Sequence, residues 1–134
     1  MDEKLKAKLD ATGLKYTEDN DGDGKFLFRL DEDRTQAVWV DGKKDTMGDY
    51  EDWDIFSVVA RMEEENFPGS VATSLLRENG GFKAGGFMIR NNILMFKLEV
   101  SCDISPAGFG SAITLVAKIA DQFEKKLTDG GDAF

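Results

Sequence analysis

The sequence predicts an α+β fold, with helices packed on a twisted antiparallel sheet, from three observations. Short apolar runs, Phe87-Met88-Ile89 and Ile93-Leu94-Met95-Phe96, flank Asn91-Asn92, and residues 97–102 alternate polar and apolar side chains, the pattern of a β-hairpin. After Ser105 the apolar residues instead recur at steps of four and three as far as Leu127, the pattern of one long amphipathic helix. Every connection between periodic segments is short, so the simplest sheet is antiparallel. The expected order is helix, three strands, helix, two strands, helix. That makes five strands, or six if residues 14–16 also pair.

The first helix is expected over residues 2–12. Asp2 suits its N-cap, Leu5 and Leu9 share one face, and Gly13 stands where a left-handed residue ends a helix. Its apolar stripe is thin, so it must dock on something larger. Residues 14–16 form a brief strand and residues 25–30 a clearer one. In the latter Phe26, Phe28 and Leu30 share a face while Leu27 points the other way. After the polar turn Asp31-Glu32-Asp33-Arg34 comes a strand over 36–40. A polar loop spans 41–52, and a strand over 53–62 is apolar on both faces, as a central strand covered on two sides would be.

Pro68 suits the first turn of the second helix, whose apolar edge is Val71, Leu75 and Leu76 and whose stop is Asn79-Gly80-Gly81. In the hairpin, a two-residue Asn91-Asn92 turn fixes the register, since Asn tolerates positive φ. Arg90 then faces Ile93, Ile89 faces Leu94, Met88 faces Met95, and Phe87 faces Phe96. The apolar set continues on one face through Leu98, Val100 and Cys102; a slip of one residue would send it to the other. Ser105-Pro106 starts the last helix, although Gly108 and Gly110 weaken its first turns by around 1 kcal/mol each relative to Ala, placing the firm start near Ser111. Phe109, Ile113, Val116, Ala120, Phe123 and Leu127 make its stripe. Ala112, Leu115 and Ile119 widen it toward another helix or a second subunit.

At 134 residues, with 41% apolar residues and ten Phe, one domain can build its own core. That domain is expected over 1–128, followed by a Gly- and Asp-rich tail over 129–134. The charge of −9, from 26 acidic and 17 basic residues without a basic cluster, argues against nucleic acid and anionic membrane surfaces. No run of about eighteen apolar residues exists, so a soluble, cytoplasmic protein is expected. The single cysteine, Cys102, reads as a buried structural thiol. The chain contains no histidine, which removes the usual general base of catalytic triads. No nucleophile elbow, P-loop or dinucleotide fingerprint appears, so no catalytic residue is assigned and a non-enzymatic role is expected.

The run Leu75-Leu76-Arg77-Glu78-Asn79-Gly80, a glycine-bearing strand, the 94–98 strand, and a helix carrying Val116-Ala117-Lys118-Ile119-Ala120-Asp121-Gln122-Phe123-Glu124 together resemble YbjN-like proteins. These are in turn similar to the class I type III secretion chaperones. The resemblance implies a small acidic homodimer, chaperone-like or regulatory, that holds an extended segment of a partner protein. In the secretion chaperones apolar patches on the first helix and sheet do this, partly by strand addition. Carried onto this sequence, the partner-binding candidates are Leu5, Leu9, Leu27, Val38 and Val40.

A second motif competes. Asp19-Asn20-Asp21-Gly22-Asp23-Gly24 matches the opening half of an EF-hand loop, and Asp19, Asp21 and Asp23 are apt oxygen ligands for calcium. The second half fails: position twelve is Leu30 where a bidentate Glu belongs, and Phe26-Leu27-Phe28 alternates as a strand. The loop is therefore either a weak calcium site or a solvated turn. The other acidic cluster, residues 45–54, reads as an open charged loop rather than a pair of catalytic carboxyls.

Overall fold

The computed structural model describes residues 1–30, 34–61 and 69–128. The chain runs α1 (Glu3–Ala11), β1 (Thr17–Glu18), β2 (Gly24–Arg29), β3 (Thr35–Val40), β4 (Asp45–Met47), β5 (Tyr50–Arg61), α2 (Gly69–Asn79), β6 (Gly86–Arg90), β7 (Ile93–Ser101) and α3 (Pro106–Thr128). The strands form one antiparallel sheet of order β1-β2-β3-β5-β7-β6, with β4 paired to β5. The α+β architecture is the expected one, with seven strands where five or six were expected.

The hairpin of β6 and β7 holds the expected register at all four pairs, from Arg90–Ile93 to Phe87–Phe96. Both turn residues take positive φ, 51° at Asn91 and 61° at Asn92, the conformation that a two-residue hairpin turn demands. Helix α1 is capped as expected, the Asp2 carboxylate accepting from the Lys4 amide at 2.8 Å. Helix α3 departs from expectation by starting at Pro106 rather than near Ser111. The Ser105 hydroxyl accepts from the Gly108 amide at 3.0 Å, and this cap offsets the two early glycines.

Three strand assignments change. The short first strand is Thr17–Glu18 rather than residues 14–16, because the 19–23 turn pairs Thr17 with Lys25 and Glu18 with Gly24. Strand β4 falls inside the expected polar loop; all three of its residues are exposed, so no burial pattern announced it. Strand β5 is central, between β3 and β7, but among the described residues helices pack against it from one side only. Met62, Pro68, the 31–33 part of the first polar turn and the 129–134 tail lie outside the described residues.

The core lies between that inner face of the sheet and α3, with α1 packed beside α3. Phe109 stacks on Trp53 at 5.5 Å between centroids and 6° between planes, both rings fully buried. At the other end Phe123 meets Phe87 edge to face at 4.5 Å, within a cluster completed by Phe82 and Phe96. Cys102 follows β7 in a turn and is buried, with burial pushing its thiol pKa up. This is the environment of an inert thiol.

Candidate functional site

Leu5, Leu9, Val38 and Val40, four of the five partner-binding candidates, are fully buried in this core. Leu27 alone is on the surface, 68% exposed. The reason for Val38 and Val40 is register. Phe26 pairs with Val38 and Gly24 with Val40, so both valines share the inner face with Phe26. The outward residues of β3 are Ala37 and Trp39 instead. Counting outward from a four-residue turn at 31–34 would instead set Val38 opposite Leu27; the observed register is one residue away, with the Leu30 amide donating to the Arg34 carbonyl and Arg29 paired with Thr35.

Among the described residues no helix covers the outer face of the sheet. Across it run Leu27 on β2, Ala37 and Trp39 on β3, Phe56 and Val58 on β5, Met95 on β7 and Met88 on β6. Trp39 stacks on Phe56 at 5.8 Å and 13°, and the Lys25 ammonium sits 5.5 Å above the Trp39 ring. These side chains, Leu27 apart, are half-buried by one another, and Lys25, Asp54, Lys97 and Arg90 rim the band. An apolar band with a charged rim is the make-up of a surface that meets another protein.

The sheet edges are less inviting. Strand β1 has two residues. On β6, the Asn79 side chain occupies the free edge, accepting from the Phe87 amide at 2.7 Å and donating to its carbonyl at 3.3 Å. A strand added beside β6 would have to displace this clamp, a device that blunts edge pairing. Next to it a groove of about 240 Å³ lies between α2 and β6, with Leu76 71% and Ile89 51% exposed on its walls.

Two carboxylate clusters stand at the sheet's loops. In the β1–β2 turn, Asp19, Asp21 and Asp23 bring one oxygen each within 4.8 Å of the others. Two of those carboxylates, Asp19 and Asp23, already serve the backbone. Asp19 accepts from the amides of Asp21 and Asp23, both at 2.9 Å, and Asp23 accepts from Gly42 at 2.8 Å. The chain then continues into β2, so no helix supplies the missing half of an EF-hand. The second cluster is Asp45, Asp52 and Asp54, again within 4.8 Å. Asp52 pairs with Asp45 across β4 and β5, and Asp54 follows two residues on, on the same face. The Lys97 ammonium lies 3.4 Å from Asp54 and 3.4 Å from Glu99. Within the expected open loop Asp45 is indeed exposed, whereas Asp52 is buried and Asp54 half-buried on the outer sheet face.

Burial pushes the Asp54 carboxyl up to about 6, with Lys97 pulling it down and Asp45 adding to the rise. Burial also raises Asp52, where Glu99 and Asp45 add to the rise and Lys97 opposes it. A carboxyl whose folded pKa lies above its unfolded value binds its proton more tightly in the native state. Stability then increases as pH falls from 7 through 6 and is lost as pH rises through the folded value. For Asp54 the expected gain between pH 7.5 and pH 5 is about 1 kcal/mol, once discounted for solvent screening of this partly exposed group. Thermal melts in chelator at the two pH values should show the higher Tm at pH 5, and Asp54→Asn should remove most of the difference. A lower Tm at pH 5 in the parent protein contradicts the assignment.

No protein-family model matches the chain, a YbjN-like one included. No curated protein matches it either. Among solved structures it is similar to a chain of the HopA1–SchA chaperone–effector complex, with a TM-score of 0.62 and 8% identity over 91% of this chain and 94% of that one. At that identity the likeness is one of fold alone. Among the described residues no helix is long and apolar enough to cross a membrane.

Proposed function

We propose that this chain is a non-enzymatic, chaperone-like module that holds an extended apolar segment of a partner protein and acts as a homodimer. The observation that carries the reading is the outer sheet face, which no helix covers among the described residues, with its band from Leu27 through Trp39 and Phe56 to Met95. It occurs in a fold like that of a chain from a chaperone–effector complex. Extended segments suit such a face, because alternate side chains can reach the half-buried rings. The Asn79 clamp on β6 favours the face over strand addition at that edge. The α2–β6 groove supplies a separate, self-complementary patch for the second copy, through Leu76 and Ile89.

Light scattering on a size-exclusion column should give twice the 14.8 kDa chain mass, and Leu76→Arg should halve it. Leu27→Asp, at an exposed site, should change stability by no more than about 0.5 kcal/mol. In a pull-down from native extract it should lose the proteins that the parent retains. A parent that runs as a monomer removes the dimer; a folded Leu27→Asp variant with an unchanged set of retained proteins removes the face.

The convergence of Asp19, Asp21 and Asp23 favours a second reading, a calcium-binding domain with that loop as its site. A melting temperature unchanged in millimolar calcium, about the range of the weakest calcium modules, ends it.

A further inference from the structure

Asp45, Asp52 and Asp54 form an acidic cluster where β4 pairs with β5. It differs from the β1–β2 turn in one respect: its oxygens are not used by the backbone. Asp52 is 8% exposed, and its Oδ1 is buried without a hydrogen-bond partner. Asp54 Oδ1 is buried and unpartnered in the same way. A buried carboxylate oxygen without a donor is costly, and native proteins keep few of them.

The nearby cations do not balance this charge. Lys97 approaches Asp54 through Oδ2 and is shared with Glu99, while Lys44 pairs with Glu51. Three carboxylates therefore converge around one shared ammonium, in a chain that already carries a net charge of −9. Donors that are all oxygen select a hard cation rather than a thiolate- or imidazole-seeking metal. Geometry narrows the choice. Oxygens bound to one calcium ion at about 2.3–2.6 Å lie within about 5 Å of one another, and one oxygen from each of Asp45, Asp52 and Asp54 lies within 4.8 Å of the others. Calcium tolerates the irregular ring that two neighbouring strands offer, whereas magnesium demands a near-ideal octahedron.

We propose that Asp45, Asp52 and Asp54 form a calcium site on the outer face of the sheet, at the junction of β4 and β5. Asp52 and Asp54 turn their unpartnered Oδ1 atoms to the ion, and the exposed Asp45 closes the site from β4. The ion would pin β4 to β5 and neutralise the acidic end of the apolar band.

The test uses the full chain, with calcium chloride as the probe and sodium chloride at matched ionic strength as the control. Calcium should give a binding isotherm in calorimetry and raise the Tm by several degrees. Asp45→Asn removes a ligand at an exposed position where folding is not at risk. It should weaken binding by at least about tenfold, since calcium affinity follows the number of charged ligands. Asp19→Asn with Asp21→Asn should leave the affinity unchanged. Absence of binding heat and of a Tm shift in the parent up to about 10 mM calcium, beyond the weakest calcium modules, overturns the proposal. So does a response that survives Asp45→Asn but disappears with the Asp19 and Asp21 pair, which would place the ion in the β1–β2 turn.

Discussion

Phe109→Ala is expected to destabilise the fold by roughly 3–5 kcal/mol, the range for removing a fully buried aromatic ring from a packed core. Phe109 is the first residue of the α3 stripe and is fully buried against Trp53. Alanine leaves a void under the indole that α3 cannot collapse to fill. The same helix is held at its far end, where Phe123 meets Phe87 at 4.5 Å, and along the middle by Ile113, Val116 and Ala120. Against a stability of about 5–15 kcal/mol for a typical domain, this loss is a large fraction of the whole. Urea unfolding should show a lower midpoint with an unchanged slope, since the surface exposed on unfolding hardly differs. Leu115→Ala, on the half-exposed side of the same helix, is the control and should cost less than about 1 kcal/mol. Equal losses for the two variants would mean that α3 is not anchored through its Phe109 face.

The same contrast separates what was legible in the sequence from what was not. The α3 stripe and the β6–β7 register were legible because each is decided locally. One depends on helix periodicity, the other on a turn that accepts positive φ at both Asn91 and Asn92. The apolar side of β3 was not legible from periodicity, because Val38 and Val40 alternate with the larger Trp39. Which set turns inward depends on the pairing of β3 with β2, where Phe26 lies opposite Val38. Leu5 and Leu9 followed the same rule. A thin stripe on a short helix is all that a helix docked beside α3 needs, and both leucines are fully buried there. Of the candidate face, Leu27 alone was identified, as the apolar residue opposite the Phe26 side of its strand. Its companions Trp39, Phe56 and Met95 come from three strands distant in sequence, and no local pattern joins them. The Asp45–Asp52–Asp54 cluster was hidden for a related reason. Strand β4 is fully exposed and reads as loop, so only its pairing with β5 brings Asp45 to Asp52.

Gly42→Ala is the second substitution expected to have a large effect, by a steric mechanism rather than a cavity. A Cβ at Gly42 would stand 2.0 Å from the Gly22 carbonyl oxygen and 2.9 Å from its carbon. Both are backbone atoms, so no side-chain rotation relieves the overlap; one of the two turns must move. The Gly42 amide also donates to Asp23 at 2.8 Å, and movement would strain or break that bond. A loss of about 2–4 kcal/mol is expected, the range in which overpacking and a broken part-buried hydrogen bond combine. Gly48→Ala isolates the other way a glycine can matter. Gly48 has φ +61° with open space where a Cβ would go, so only backbone strain of about 1 kcal/mol is at stake. Thermal melts of the two variants side by side decide the matter. If Gly42→Ala costs no more than Gly48→Ala, the β1–β2 turn does not rest on the chain at Gly42. A much larger loss at Gly42 means that this contact holds the Asp19–Asp23 turn in shape.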